Sequence, residues 1–272
     1  MSSIAAALAQ ARQTIPISDA RLLLRHLLGC TAAWLEAHRD DALEAPAAAA
    51  FEALVARRMA GEPIAYLTGL REFYGREFAV SPAVLIPRPE TELLVDLGKA
   101  AVSGAAKPRI LDLGCGSGCV AITLALELPG AEVTALDVSA AALDIARSNA
   151  ERLRAPIRLM QSDWFAALGT EESYDLIVAN PPYVADGDPH LAEGDLRFEP
   201  AEALACGSDG LAAIRRIVGL APCHLHQGGS LFFEHGYDQA EAAAERLRSA
   251  GFEHIEQHRD LAGIVRVSGG RR

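Results

Sequence analysis

Residues 177–186, IVANPPYVAD, carry an apolar run straight into Asn180-Pro181-Pro182-Tyr183. Two consecutive prolines remove two backbone donors and fix two φ angles, and the residue before a proline is pushed out of helical space. Asn180 is therefore expected to be extended, with its side-chain oxygen and the Pro181 carbonyl converging as two acceptors. Two convergent acceptors suit a group with two donors, an NH2. Tyr183 adds a flat face that can cover a planar partner. The chemistry this could serve is attack by a planar nitrogen, a poor nucleophile whose delocalisation is gauged by the roughly 18–20 kcal/mol barrier to rotation about an amide bond. As that nitrogen attacks, it pyramidalises and gains positive charge, so acceptors on its hydrogens hold the transition state more tightly than the ground state. A hydrogen bond to a charged group contributes about 1.5–3 kcal/mol against about 1 for a neutral one. Taken alone, the tetrapeptide is equally a rigid exit from a strand.

A second constellation lies upstream. Asp112-Leu113-Gly114-Cys115-Gly116-Ser117-Gly118 follows one apolar run and opens another, CVAITLALEL. Glycines there allow a sharp turn and a close backbone approach to a ligand. The dinucleotide fingerprint would need glycine at 119, where Cys119 stands. The GxGxG spacing after an acidic residue resembles motif I of the class I methyltransferases that use S-adenosylmethionine. The next strand, AEVTALD, ends in Asp137, which can accept both hydroxyls of an adenosine ribose. A helix cap is the other role open to Asp137, and Ser139 can fill that role as well. The third strand ends in Gln161-Ser162-Asp163-Trp164-Phe165. Trp164 offers a flat face to an adenine, with core packing as its other reading, and Asp163 can accept from the exocyclic amine. Three strand ends in order, each with a suitable residue, favour the cofactor reading, because open α/β sheets bind ligands at the carboxyl ends of their strands.

The elements that must position these groups fall into two textures. Up to about residue 60 the chain is rich in Ala and Leu at helical spacing and reads as a small helical bundle. Ser18 and Thr31 are expected caps, and Gly29 and Gly61 expected stops. Residues 61–92 carry Gly, Pro and aromatics without helical period; FYGREFAV suits a hairpin, and Pro87 and Pro89 keep Arg88 extended. A helix is expected at about 90–103. From 108 strands alternate with helices, which predicts a mostly parallel sheet covered on both faces, closed by an antiparallel pair from FEHIEQHRD and GIVRVSGG. The expected domains are residues 1–72 (helical), 73–88 (hairpin linker) and 89–272 (catalytic). The irregular stretch 184–207 directly after the NPPY tetrapeptide reads as a functional loop.

Composition narrows the partners. The chain has 272 residues, 50% hydrophobic and 22% charged, with a formal net charge of −11. Such an acidic chain is a poor general binder of nucleic acid. Its five cysteines, Cys30, Cys115, Cys119, Cys206 and Cys223, are odd in number and form no CxxC, as expected of reduced cytoplasmic thiols. Neither a signal peptide nor a membrane span is expected. Cys223, His224 and His226 in CHLHQGG read as a helix end before a turn, not a metal cluster, and the proposed chemistry requires no metal.

Nearly the whole chain resembles the bacterial HemK/PrmC-type release-factor glutamine N5-methyltransferases. The matching motifs are GEPIAYLTGLREFYG (61–75), LIPRPETELLV (85–95), LDLGCGSGCVAI (111–122), SDWF (162–165), NPPYV (180–184), FEPAEALACGSDGL (198–211) and FEHGYDQ (233–239). RPETE and the segment from FEP to DGL are not general features of S-adenosylmethionine enzymes. The resemblance implies a Rossmann-like methyltransferase fold with a mostly parallel seven-stranded sheet. It implies S-adenosylmethionine as methyl donor, with S-adenosylhomocysteine as product, and the glutamine of a Gly-Gly-Gln motif in peptide chain release factors as acceptor. The helical domain would help hold the release factor. Gly114, Cys115, Gly116, Ser117 and Gly118 would line the methionine and ribose side of the donor, Asp137 would take the ribose and Trp164 would border the adenine. Asn180 would touch donor and acceptor, with Pro181, Pro182 and Tyr183 completing the glutamine pocket, and Arg88 and Glu90 closing it. A cytoplasmic monomer is expected. The competing expectation is an amino-methyltransferase acting on adenine, cytosine or guanine in nucleic acid.

Overall fold

The computed structural model describes residues 2–272. The chain forms two compact units. The first comprises the residues up to Leu70 together with Glu193–Phe198, and the second comprises Arg71–Ala192 and Glu199–Arg272.

Five helices build the first unit: α1 (Ile4–Ala11), α2 (Ile17–Leu28), α3 (Ala32–Ala37), α4 (Ala45–Met59) and α5 (Ile64–Thr68). Thr31 caps α3 through the Trp34 amide at 3.1 Å, as expected, and Gly29 ends α2 in the left-handed region. Ser18 does not cap α2. Pro16 occupies that position, and the Ser18 hydroxyl donates instead to Asp19 inside the first turn. Helix α5 lies in the stretch read as aperiodic; five residues after Pro63 are too few to display a helical period. The core of this unit is an apolar cluster including Leu23, Leu24, Leu35 and Phe51. The returning segment is tied in by side chains, Arg197 donating to the Ala60 carbonyl at 2.6 Å and Asp195 lying 3.6 Å from Arg58.

A two-stranded hairpin follows, β1 (Leu70–Phe73) and β2 (Arg76–Ala79). Its turn residues Tyr74 and Gly75 both have positive φ, the geometry whose twist matches paired strands. The second unit continues with a short 3-10 turn (Pro89–Thr91), α6 (Glu92–Ala101), β3 (Arg109–Leu113), α7 (Cys119–Glu127), β4 (Glu132–Asp137), α8 (Ala140–Leu153), β5 (Ile157–Gln161) and β6 (Tyr174–Ala179). After the irregular loop come α9 (Ala201–Leu204), α10 (Ala212–His224), β7 (Leu225–Glu234), α11 (Ala240–Ser249), β8 (Glu253–Arg259) and β9 (Val265–Arg271).

The seven strands run in the order β5-β4-β3-β6-β7-β9-β8, parallel except for β9, which is antiparallel to both its neighbours. Alternate residues of one strand feed opposite faces, as the two-residue period requires. Ile110 joins Leu94, Ile122 and Leu143 in one apolar cluster, while Leu111 and Leu113 join Ile214, Val218 and Leu247 in the other. Burial on both faces explains why these strands read as continuous apolar runs. The parallel strands run outward from β3 through β4 to β5 on one side and from β6 to β7 on the other, so the switch point, where such sheets bind ligands, falls at the carboxyl ends of β3 and β6.

Candidate active site

Register brings the strand ends together. Leu113 is paired with both Leu136 and Ala179, Asp137 with Gln161, and Ala179 with Phe233. The residues that follow, Gly114, Asp137, Ser162, Asn180 and Glu234, therefore emerge along one edge of the sheet. All but Glu234 border a cavity lined by Gly114, Cys115, Gly116, Ser117, Asp137, Trp164, Asn180 and Pro182, together with Arg88, Thr91, Asp112 and Asp163.

The glycine loop is shaped by left-handed backbone. Gly114, Gly116 and Gly118 have φ of 72°, 54° and 79°. The amides of Gly114 and Cys115 both donate to the Leu136 carbonyl, at 2.8 and 2.9 Å. Gly118 does not line the cavity. It precedes α7, and a Cβ there would meet Ile122 at 3.0 Å and Ala146 at 3.2 Å, so its role is to let helix α8 close against the loop. A Cβ on Gly114 would touch the Trp164 ring at 3.6 Å. Trp164 itself sits at φ 52°, held by a turn in which the Ser162 hydroxyl donates to its carbonyl at 2.7 Å.

Asp137 accepts from the Gly116 amide at 2.8 Å and the Ser139 amide at 2.9 Å, one on each oxygen. Ser139 caps α8 through the Ala142 amide at 3.2 Å, which leaves Asp137 free of that duty. A carboxylate offers about four acceptor sites, so both Asp137 oxygens can still receive a hydroxyl. Asp163 is paired with Arg216 at 2.8 Å on the cavity rim. Asp112 is buried at the amino end of α7 and accepts from the Ala121 amide at 3.1 Å. Burial, opposed by that amide and reinforced by the charge of Asp137, pushes its carboxyl up to about 7. Cys115 is buried too, and burial pushes its thiol well above the ordinary range, keeping it a neutral, inert group in the cavity wall.

This lining fits S-adenosylmethionine: carboxylates from Asp112, Asp137, Asp163 and Glu202 for a cationic, hydroxyl-bearing ligand, a close-approaching glycine loop, apolar Leu136 and Ala142, and the Trp164 indole for a purine. Among the described residues no group of three His, Cys, Asp or Glu side chains could hold a metal ion. Cys223 and His224 close α10, which runs straight into β7 with no intervening turn. His224 Nδ1 lies 3.0 Å from the Glu172 carbonyl, and its ring stacks on Phe165.

The NPPY end is held quite differently. The Asn180 amide nitrogen donates to Thr91 Oγ1 at 3.1 Å, and the Thr91 hydroxyl donates to Glu234 Oε2 at 2.7 Å. The Tyr183 hydroxyl donates to the other oxygen of Glu234 at 3.1 Å. Gln239 donates to the Tyr183 carbonyl at 2.9 Å and accepts the Gly236 amide at 2.9 Å. Gly210 passes so close that a Cβ there would lie 2.2 Å from the Tyr183 carbonyl oxygen. Pro181 is buried and Tyr183 half-buried, and neither belongs to the cavity lining. Burial and then the charge of Glu234 push the Tyr183 phenol up, so it is a hydrogen-bond donor and not a base. Arg88 lines the cavity and pairs with Glu199, whose fully buried carboxylate also accepts the Ile86 amide at 3.1 Å. Glu90 is exposed and outside the lining.

Thr91, Glu199, Gly210, Glu234 and Gln239 were not singled out by the sequence. A signal existed in LFFEHG, where a glutamate closes an apolar strand; a buried charge of that kind needs partners.

Comparison with known proteins gives two family matches, a PrmC N-terminal domain over residues 1–69 and a Methyltransferase small domain over residues 90–202. The chain is 55% identical over 256 residues to the release factor glutamine methyltransferase of Bordetella pertussis, covering 94% of this chain and 95% of that one. It is 47% identical over 272 residues to the protein of that name from Xylella fastidiosa (strain Temecula1), covering 100% and 98%. Among solved structures, the hMettl16 catalytic domain in complex with a 3′UTR hairpin aligns with a TM-score of 0.58 at 15% identity, over 84% of this chain and 81% of that one. At that identity the likeness concerns the fold alone.

Proposed function

The chain belongs to the release factor glutamine methyltransferases, and from that premise we propose how its own residues transfer a methyl group from S-adenosylmethionine to the side-chain amide nitrogen of a release-factor glutamine. When bound, the cofactor supplies an electrophilic methyl group on a sulfonium. Gly114 through Ser117 shape the wall for its methionine and ribose, Asp137 accepts the ribose hydroxyls and Trp164 borders the adenine. The acceptor is the glutamine of the Gly-Gly-Gln motif, methylated at N5.

The observation that carries this reading is the pairing of Leu113 with Ala179 on adjacent strands. It sets the glycine loop and Asn180 side by side, so a donor on one and an acceptor on the other can meet in line at about 3–3.5 Å. Because the Asn180 nitrogen is committed to Thr91, its oxygen is the end left for an acceptor NH2. That oxygen and the Pro181 carbonyl take the two hydrogens of the glutamine amide as positive charge builds on nitrogen, while Pro182 and Tyr183 border the amide plane. With the donor bound there, the glutamine nitrogen would take the methyl group as the carbon–sulfur bond breaks, S-adenosylhomocysteine would be the leaving group, and the surplus proton would pass to water. The helical first unit serves to hold the release factor. Five free thiols suit a reducing cytoplasm, where the enzyme acts as a monomer. Among the described residues no helix is long and apolar enough to cross a membrane.

Purified protein with methyl-labelled S-adenosylmethionine should label a bacterial release factor, and Gln→Ala in the Gly-Gly-Gln loop should abolish the label. Transfer to RNA or DNA with the release factor untouched would overturn the assignment.

A further inference from the structure

Asn180 can present either end of its amide to the cavity, since oxygen and nitrogen are nearly the same size. Only the oxygen is useful to an NH2 acceptor; the nitrogen would meet it donor to donor. Something must choose between the two, and the tetrapeptide itself cannot, because a half-turn about the last side-chain bond exchanges them.

We propose that Thr91 and Glu234 form a positioning relay that locks the Asn180 amide with its oxygen toward the acceptor nitrogen. The direction follows from counting protons. Burial raises the Glu234 carboxyl, while the Thr91 and Tyr183 hydroxyls and the charge of Arg266 hold it down toward the ionised form, which only accepts. Glu234, buried at the end of β7, takes the single hydroxyl proton of Thr91 at 2.7 Å. With its proton spent, Thr91 can offer only lone pairs to its other neighbour. It therefore receives Asn180 Nδ2, at 3.1 Å, and repels Oδ1. The second Glu234 oxygen takes the Tyr183 hydroxyl at 3.1 Å, so the same carboxylate fixes both polar side chains of the tetrapeptide. The relay's members lie far apart in sequence, Thr91 in the 3-10 turn before α6 and Glu234 at the tip of β7. Ala179 pairs with Phe233, so Glu234 emerges directly beside Asn180. Thr91 and Glu234 are positioning residues: they act through Asn180.

The proposal rests on the glutamine-methylation reading, so its test has one arm that needs no acceptor. In the protein with S-adenosylmethionine bound, the Asn180 side-chain NH2 should give two well-separated proton resonances, protected from solvent exchange. Thr91→Val, nearly the same shape, should move them toward the positions of a free asparagine amide and speed their exchange with solvent, while Thr91→Ser should preserve them. Unchanged resonances in Thr91→Val would overturn the relay whatever the acceptor is. The kinetic arm uses release factor. Thr91→Val and Glu234→Gln should each lower kcat about 10–100-fold at saturating S-adenosylmethionine, the range expected for loss of one hydrogen bond to a developing charge. Thr91→Ser should restore kcat. In an Asn180→Ala background Thr91→Val should cost nothing further, because its only route to the reaction is gone. Losses that multiply in the double variant would mean that Thr91 serves the fold alone, and would overturn the proposal. If the resonances behave as expected and no release factor is methylated, the relay stands and the substrate assignment falls.

Discussion

The tips of β3, β4 and β5 and the tips of β6 and β7 are neighbours in one sheet, yet they fix their groups by different means. At the first two tips backbone amides do the holding, and at β5 the Ser162 hydroxyl closes the turn onto the Trp164 carbonyl. The loop amides at 114 and 115 bond to the next strand's carbonyl, and Asp137 grips the amides at 116 and 139. At the last two tips side chains do the holding: Asn180 to Thr91, Thr91 and Tyr183 to Glu234, and Gln239 to the Tyr183 carbonyl. The difference follows from what each end must bind. A cofactor can be cradled by fixed peptide groups and left-handed glycines. An acceptor amide needs bare acceptors, and two prolines achieve that by deleting the very donors that would otherwise anchor the strand's exit. The anchoring then has to come from elsewhere in the chain.

If the two ends are separate in this sense, damage at one should change rate and damage at the other should change binding. Asn180→Ala should show the largest effect, a loss of about 10²–10³ in kcat, comparable to removing one preorganised group from a charge-stabilising site. Single-turnover kinetics with saturating donor would check it, and unchanged turnover would end the role given to Asn180. Asp137→Ala should do the opposite. It should weaken S-adenosylmethionine by about 10–100-fold, the loss of charged hydrogen bonds, and leave kcat near its original value once the cofactor is saturating. Calorimetry and a cofactor titration would separate the two, and a kcat loss as deep as that of Asn180→Ala would dissolve the comparison.

Smaller changes sharpen it. Gly210→Ala should destabilise the protein by about 1–3 kcal/mol, because it adds a side chain at a left-handed position against the Tyr183 carbonyl. Differential scanning calorimetry should show the lower Tm; no shift would mean that the acceptor end tolerates slack. The smallest effect is one of pH. Asp112 is pushed up to about 7, chiefly by burial. A raised carboxyl stabilises the ligand-free fold below its ordinary pKa, and that contribution is lost as pH rises through about 7. A cationic ligand prefers the anion, so S-adenosylmethionine should bind up to about tenfold more tightly at pH 8 than at pH 6. Asp112→Asn should flatten this profile. An equal slope in the variant would remove Asp112 from the cofactor's environment.

The same contrast decides what could be read in the chain beforehand. The alternation of strands and helices is a repeating local pattern, and the glycine loop and Asp137 lie within one βαβ unit, where local spacing carries the geometry. Cys119 in place of a sixth-position glycine was enough to reject the dinucleotide pattern. By contrast, Thr91 and Asn180 stand 89 residues apart, and nothing in the spacing of RPETE predicts that its threonine faces an asparagine. Glu234 ends an apolar strand in LFFEHG, but nothing in that stretch says what it holds. Helix α5 escaped because it is shorter than the period that would reveal it, and Ser18 misled because Pro16 begins the helix first. Local chemistry was legible; contacts created only when strands pair were not.

Strand β9 inserts between β7 and β8, with Val267 opposite Glu234. During synthesis, β7 is made some thirty residues before the strand that covers its flank. Until then Leu231, Phe232 and Phe233 form an apolar ribbon with one unpaired side, the kind of edge that recruits other chains. A chain cut short before β9 would not be a trimmed enzyme. It would carry an open edge beneath its own acceptor pocket, and its fate would be association or degradation before catalysis.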